Sequence, residues 1–153
     1  MKNTIVLFFV GWMVWGFTQP ANLAFDELKK MYEKGDYWNA YVLSSELLQR
    51  DSFLSDVWFI KGKSAAELFL YDRAYEAFRQ IISLGKEKDY PDFFFDLAEV
   101  SRSLGKYDEA LVYYHFYQLL DVSQKTEEKL KKAAYYIEFK DSLLHLAQSF
   151  DST

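Results

Sequence analysis

Residues 105–114 read GKYDEALVYY, and the same frame occurs twice earlier, as GDYWNAYVLS over 35–44 and FLYDRAYEAF over 69–78. Each phrase runs from its first residue, Gly in two of the copies, through Tyr and two residues, polar except for Trp38, to Ala, then into largely apolar residues. Aligned on Tyr37, Tyr71 and Tyr107, the copies recur at spacings of 34 and 36 residues. Fixed self-similarity at such a period marks a solenoid of stacked supersecondary units, none of which can bury its apolar face alone.

Around each Tyr the chain divides into two amphipathic stretches. In the middle unit Val57, Trp58, Lys61, Gly62 and Ala65 lie along the first stretch. Ala74, Phe78 and Ile81 lie along the second, and their spacings of four and three build one helical face. No stretch alternates with period two for long enough to argue a strand, so the predicted fold is all-α. Gly62 and Ala98 would let a paired helix approach closely, and Ala74 and Ala110 would do the same from the second helix while remaining strong helix formers. Gly35 and Gly105 suit helix C-termini, where glycine accepts a left-handed backbone cheaply. Tyr37, Tyr71 and Tyr107 would plug the turns with their rings. Phe69 stands where its siblings have Gly, so the middle turn is expected to close differently. Helices are expected near 22–34, 38–50, 54–68, 72–84, 91–104 and 108–121, with Pro91 in a first helical turn and Asp92 beside it at the positive end of the dipole. The segment GKEKDY, 85–90, lengthens one connection and accounts for the 36-residue spacing. A seventh helix near 125–148, with Leu130, Ala133, Ala134, Ile137, Leu144 and Ala147 along one side, is expected to cap the last unit, leaving 150–153 frayed.

These units resemble the tetratricopeptide repeat (TPR). The middle one carries Trp58, Gly62, Tyr71, Ala74 and Phe78 in the family's positions, and the third carries Phe94, Leu97, Ala98, Gly105, Tyr107, Ala110 and Tyr114. The first keeps Gly35, Tyr37 and Ala40 but departs at Ala24, Glu27 and Leu28. The resemblance implies three repeats, about 21–54, 55–90 and 91–124, and a concave surface, made by the first helix of each, that binds extended peptides or partner helices. The family's groove positions fall on Phe25, Lys29 and Tyr32, on Phe59, Lys63 and Glu67, and on Phe95, Glu99 and Arg102. A ring recurs at one place, Phe25, Phe59 and Phe95; it would form a binding strip if it faced water, or pack against the next helix. Phe78, Tyr114, Phe94 and Trp58 are read as core. The cationic clamp that some cytosolic TPR proteins use for carboxylate tails is not recognisable, because Lys63 and Arg102 alternate with Glu67 and Glu99. The resemblance implies a protein or peptide partner, no catalysis, no cofactor and no small-molecule substrate.

The bulk numbers agree. A chain of 153 residues suffices for one domain, and 50% hydrophobic with 20% aromatic residues excludes a disordered chain. A net charge of −5 argues against a nucleic-acid surface. His115 and His145 stand thirty residues apart without metal-ligand spacing, Glu127 and Glu128 point to different faces of a helix, and no phosphate loop or nucleophile motif occurs. Only Lys2 is charged before Asp26, and TIVLFFVGWMVWGF follows it, short for a membrane span and suited to a signal peptide. Cleavage is expected after Ala21, with Thr18 as a rival, leaving 17 basic and 23 acidic residues, a net of −6. With no cysteine the chain has neither a disulfide nor a lipidation site. The reading is an exported, periplasmic or secreted adaptor or scaffold in the bacterial cell envelope. Its layout also resembles the front end of envelope proteins that continue into an OmpA-like domain. The rivals are a helical-solenoid envelope enzyme or enzyme regulator, and a structural component anchored through residues 4–17.

Overall fold

A computed structural model describes residues 21–120 and, beyond them, Lys131, Ala134, Tyr135, Glu138, Phe139 and Ser142. The expected signal segment, His145 and most of the expected capping stripe lie outside the described residues; the six isolated ones are helical and exposed. The described chain forms α1 (Ala21–Glu33), α2 (Tyr37–Arg50), α3 (Ser55–Glu67), α4 (Tyr71–Ser83), α5 (Phe93–Ser103) and α6 (Tyr107–Leu120), with a single 3-10 turn at Glu87–Asp89. Each helix packs against the next in sequence, and α1 also meets α3. The architecture is therefore a three-unit all-α solenoid, with ends within a few residues of those predicted from the recurrence.

Size matching at one joint holds each unit together. A Cβ on Gly62 would stand 2.6 Å from Cε1 of Phe78, so only glycine lets α3 lie this close to α4. Phe78 is fully buried and meets Phe93 edge-on at 5.7 Å. In the third unit Ala98 and Tyr114 take the same two places, both buried. In the first unit the sizes are exchanged: Leu28 stands where Gly62 and Ala98 stand, and Ser44 where Phe78 and Tyr114 stand. Both are fully buried. The departure at Leu28 is thus compensated across the joint, which keeps the total volume near constant, the kind of swap a core tolerates best. Of the other expected core rings, Phe94 and Trp58 are half-buried, and the Trp58 indole donates to the Ser52 carbonyl at 2.9 Å.

Two expectations are corrected. Phe69 does not close its turn differently: it takes φ 60°, beside 79° for Gly35 and 74° for Gly105. The hydrogen bonds are the same as well. Phe69 N–H donates to Ala66 and Leu70 N–H to Ala65, as Gly35 does to Tyr32 and Asp36 to Met31. The two bonds satisfy helix-end carbonyls and force the left-handed backbone on a residue that has a Cβ. Pro91 does not enter a helix. Tyr90 is extended (φ −122°, ψ 109°), as the residue before proline tends to be, so α5 starts only after Asp92. Asp92 makes no capping bond; its carboxylate accepts from the Tyr117 hydroxyl at 2.8 Å.

Candidate functional site

The first helices of the three units, α1, α3 and α5, frame two adjoining clefts. The α1–α3 cleft, about 410 Å³, is lined by Phe25, Lys29, Tyr32, Glu33, Asp56, Phe59 and Ile60. The α3–α5 cleft, about 240 Å³, is lined on one side by Lys63, Ala66 and Glu67 and on the other by Asp96, Glu99 and Arg102, with Tyr71 and Phe78 at its base. Eight of the nine groove positions named from sequence therefore stand on cleft walls. Phe95 lines neither cleft; its ring lies between Tyr114 at 5.9 Å and Tyr117 at 5.5 Å. Phe59 stacks flat on Tyr90 with centroids 4.2 Å apart, so the repeated rings do not form one continuous strip.

The charges are paired across and along the walls. Lys63 Nζ stands 2.8 Å from both carboxylate oxygens of Asp96, a bond that ties α3 to α5. Burial works against the Lys63 charge, but Asp96 outweighs it and the lysine pKa is raised. Arg102 donates to Glu99 at 2.8 Å, and the other Glu99 oxygen accepts from the Tyr114 hydroxyl. Burial and then that carboxylate push the Tyr114 hydroxyl well above the ordinary tyrosine value. Lys29 and Glu33 form a looser, exposed pair at 3.9 Å. Asp56 accepts from the Tyr90 hydroxyl at 2.8 Å, while Glu67 is exposed and makes no ion pair among the described residues.

Asp96, Tyr90 and Asp56 were not singled out from sequence. The signal that could have found them is spacing: Asp96 follows Lys63 by 33 residues and Tyr90 follows Asp56 by 34, two or three short of the 36 that separate the second and third units. Residues one repeat apart stand at the same level on neighbouring units. His115 is exposed on α6, and among the described residues no group of three or more His, Asp or Glu could hold a metal ion. The clefts offer apolar walls and paired charges, which suits holding a chain segment.

Solved structures of similar shape support this geometry. The yeast Sti1 TPR2B domain, seen in complex with pHsp70, superposes with TM-score 0.65 at 18% identity, over 76% of this chain and 97% of that one. The first TPR domain of Spaghetti (RPAP3), bound to the HSP90 peptide SRMEEVD, gives 0.68 at 16% identity, over 78% and 94%. The fold is the tetratricopeptide-repeat solenoid. A further structure of similar shape is the Yersinia enterocolitica type III secretion chaperone SycD in complex with a peptide of the translocator YopD, with TM-score 0.61, 19% identity and coverage of 76% and 88%. No protein-family model matches the sequence, and no curated protein matches it.

Proposed function

We propose that this TPR chain is a non-catalytic protein-interaction module whose paired clefts hold an extended segment of a partner protein, and that it works as an adaptor or scaffold in the bacterial cell envelope after export. The observation that carries the first part is that α1, α3 and α5 together frame adjoining clefts, the α1–α3 cleft walled by Phe25, Tyr32 and Phe59 and the α3–α5 cleft based on Tyr71 and Phe78. Rings concentrated in a concave site supply most of the energy in an interface. Solved structures of similar shape, a TPR domain and a type III secretion chaperone, hold peptides from HSP90 and YopD, which supports a peptide as occupant. The export reading rests on the single Lys followed by an apolar run at residues 4–17.

The test is cross-linking in the native envelope with identification of captured proteins. The Phe25→Ala, Phe59→Ala double variant is expected to lose capture while circular dichroism shows undiminished helix. Undiminished capture by the folded double variant would place the binding surface elsewhere. The mass of the mature chain tests export separately: a chain that retains residues 1–21 refutes cleavage.

A further inference from the structure

The clefts carry a charge pattern that discriminates among segments. Each cation on their walls already faces a carboxylate: Lys29 with Glu33, Lys63 with Asp96, Arg102 with Glu99. Asp56 and Glu67 are left over, so the walls carry a net of two negative charges. The Lys63–Asp96 pair is tight and only 27% and 16% exposed. Lys63 cannot turn toward a ligand without giving up its tight, half-buried bond to Asp96, which is unfavourable. An acidic segment would therefore find no available cation in the α3–α5 cleft and would meet Glu67 and Glu99 instead. A basic group would find Glu67 exposed at the cleft wall.

We infer, building on the groove reading above, that the α3–α5 cleft selects a partner segment carrying Lys or Arg, opposite Glu67, while an apolar side chain of the same segment enters the α1–α3 cleft beside Phe59. The two anchors stand eight residues apart on α3, about 12 Å along the helix axis. An extended chain crosses that distance in roughly four residues. The occupant is thus an extended segment pairing an apolar residue with a basic one roughly four positions away.

The experiment is selection of a displayed library of random peptides on the full chain, followed by affinity measurement of an enriched peptide at low and high salt. Enrichment of Lys or Arg with an apolar residue at that spacing is expected, with affinity falling as salt rises. Glu67→Lys, a change at an exposed site, is expected to weaken the enriched peptide about fivefold, and Glu67→Gln by less. Phe59→Ala is expected to weaken basic and charge-neutralised peptides alike. Enrichment of acidic peptides, or an affinity that Glu67→Lys leaves unchanged, overturns the charge selection; continued sensitivity to Phe59→Ala would then keep the groove reading standing. No enrichment at all, or Glu67→Lys altering self-association of the chain in solution instead, overturns both.

Discussion

Phe69 holds φ at 60° between α3 and α4 with three-quarters of its surface exposed, so little burial offsets the crowding of its Cβ against the backbone. A left-handed conformation costs an L residue about 1–2 kcal/mol relative to glycine. Against that, glycine loses about 0.5–1 kcal/mol more entropy on folding. The edge-on contact of Phe69 with Tyr71, at 6.1 Å, would also be lost. Phe69→Gly is therefore expected to stabilise the chain by about 0.5 kcal/mol, the difference of these opposing effects. Gly35 supplies the converse, since a Cβ there would meet nothing within 4 Å and only the backbone, at φ 79°, objects. Gly35→Ala is expected to destabilise by about 1 kcal/mol. Urea unfolding followed by circular dichroism reads both as opposite shifts in midpoint at constant slope. A less stable Phe69→Gly at unchanged slope, or a neutral Gly35→Ala, would refute the claim that the turn geometry is imposed on Phe69 by the hydrogen bonds around it.

Three further outcomes follow from the packing and the charges. Gly62→Ala gains about 1 kcal/mol of helix propensity but places a methyl against a fully buried ring; overpacking of about 1–3 kcal/mol should win, and Phe78→Leu in the same chain should recover part of the loss in a double-mutant cycle. Asp96→Ala strips Lys63 of its partner at a half-buried site and should lower stability by about 1–2 kcal/mol, between the values for exposed and buried pairs; a neutral result in the same unfolding assay would mean the pair is dispensable. Burial and then hydrogen bonds to carboxylates raise Tyr75, Tyr90 and Tyr114 above the ordinary value of 10.0, although for Tyr90 a bond to Ser55 acts the other way. A raised folded pKa means their contribution is complete below about pH 10 and is lost as pH rises toward the folded values. The share of tyrosinate absorbance due to these three should therefore lag and appear together with unfolding; a complete titration of all 12 tyrosines near the ordinary value with the fold intact would contradict this.

What the sequence made legible, and what it hid, divides along a physical line. Helix ends were readable because Gly35, Gly105 and the Tyr–Ala phrase act locally, through backbone freedom and close approach. The conformation of Phe69 was not, because residue preference argues against it and only the bonds that the Phe69 and Leu70 N–H groups donate to the Ala66 and Ala65 carbonyls impose it. The first joint was misleading for a related reason: Leu28 breaks the pattern by itself and restores it only when read with Ser44, sixteen residues away on the partner helix. The direction of the Phe95 ring depended on Tyr114 and Tyr117, which belong to another helix; Tyr114 was read only as core and Tyr117 was not singled out. The polar ties show how such gaps can be narrowed. Lys63 with Asp96, Asp56 with Tyr90 and Tyr75 with Glu109 are separated by 33, 34 and 34 residues. In a solenoid, one repeat along the chain is one step sideways in space. Searching for complementary side chains within about one helical turn of the repeat spacing, and not only for repeated ones, therefore reads contacts between units, and it would have brought in the bond that removes Lys63 from the cations available to a ligand.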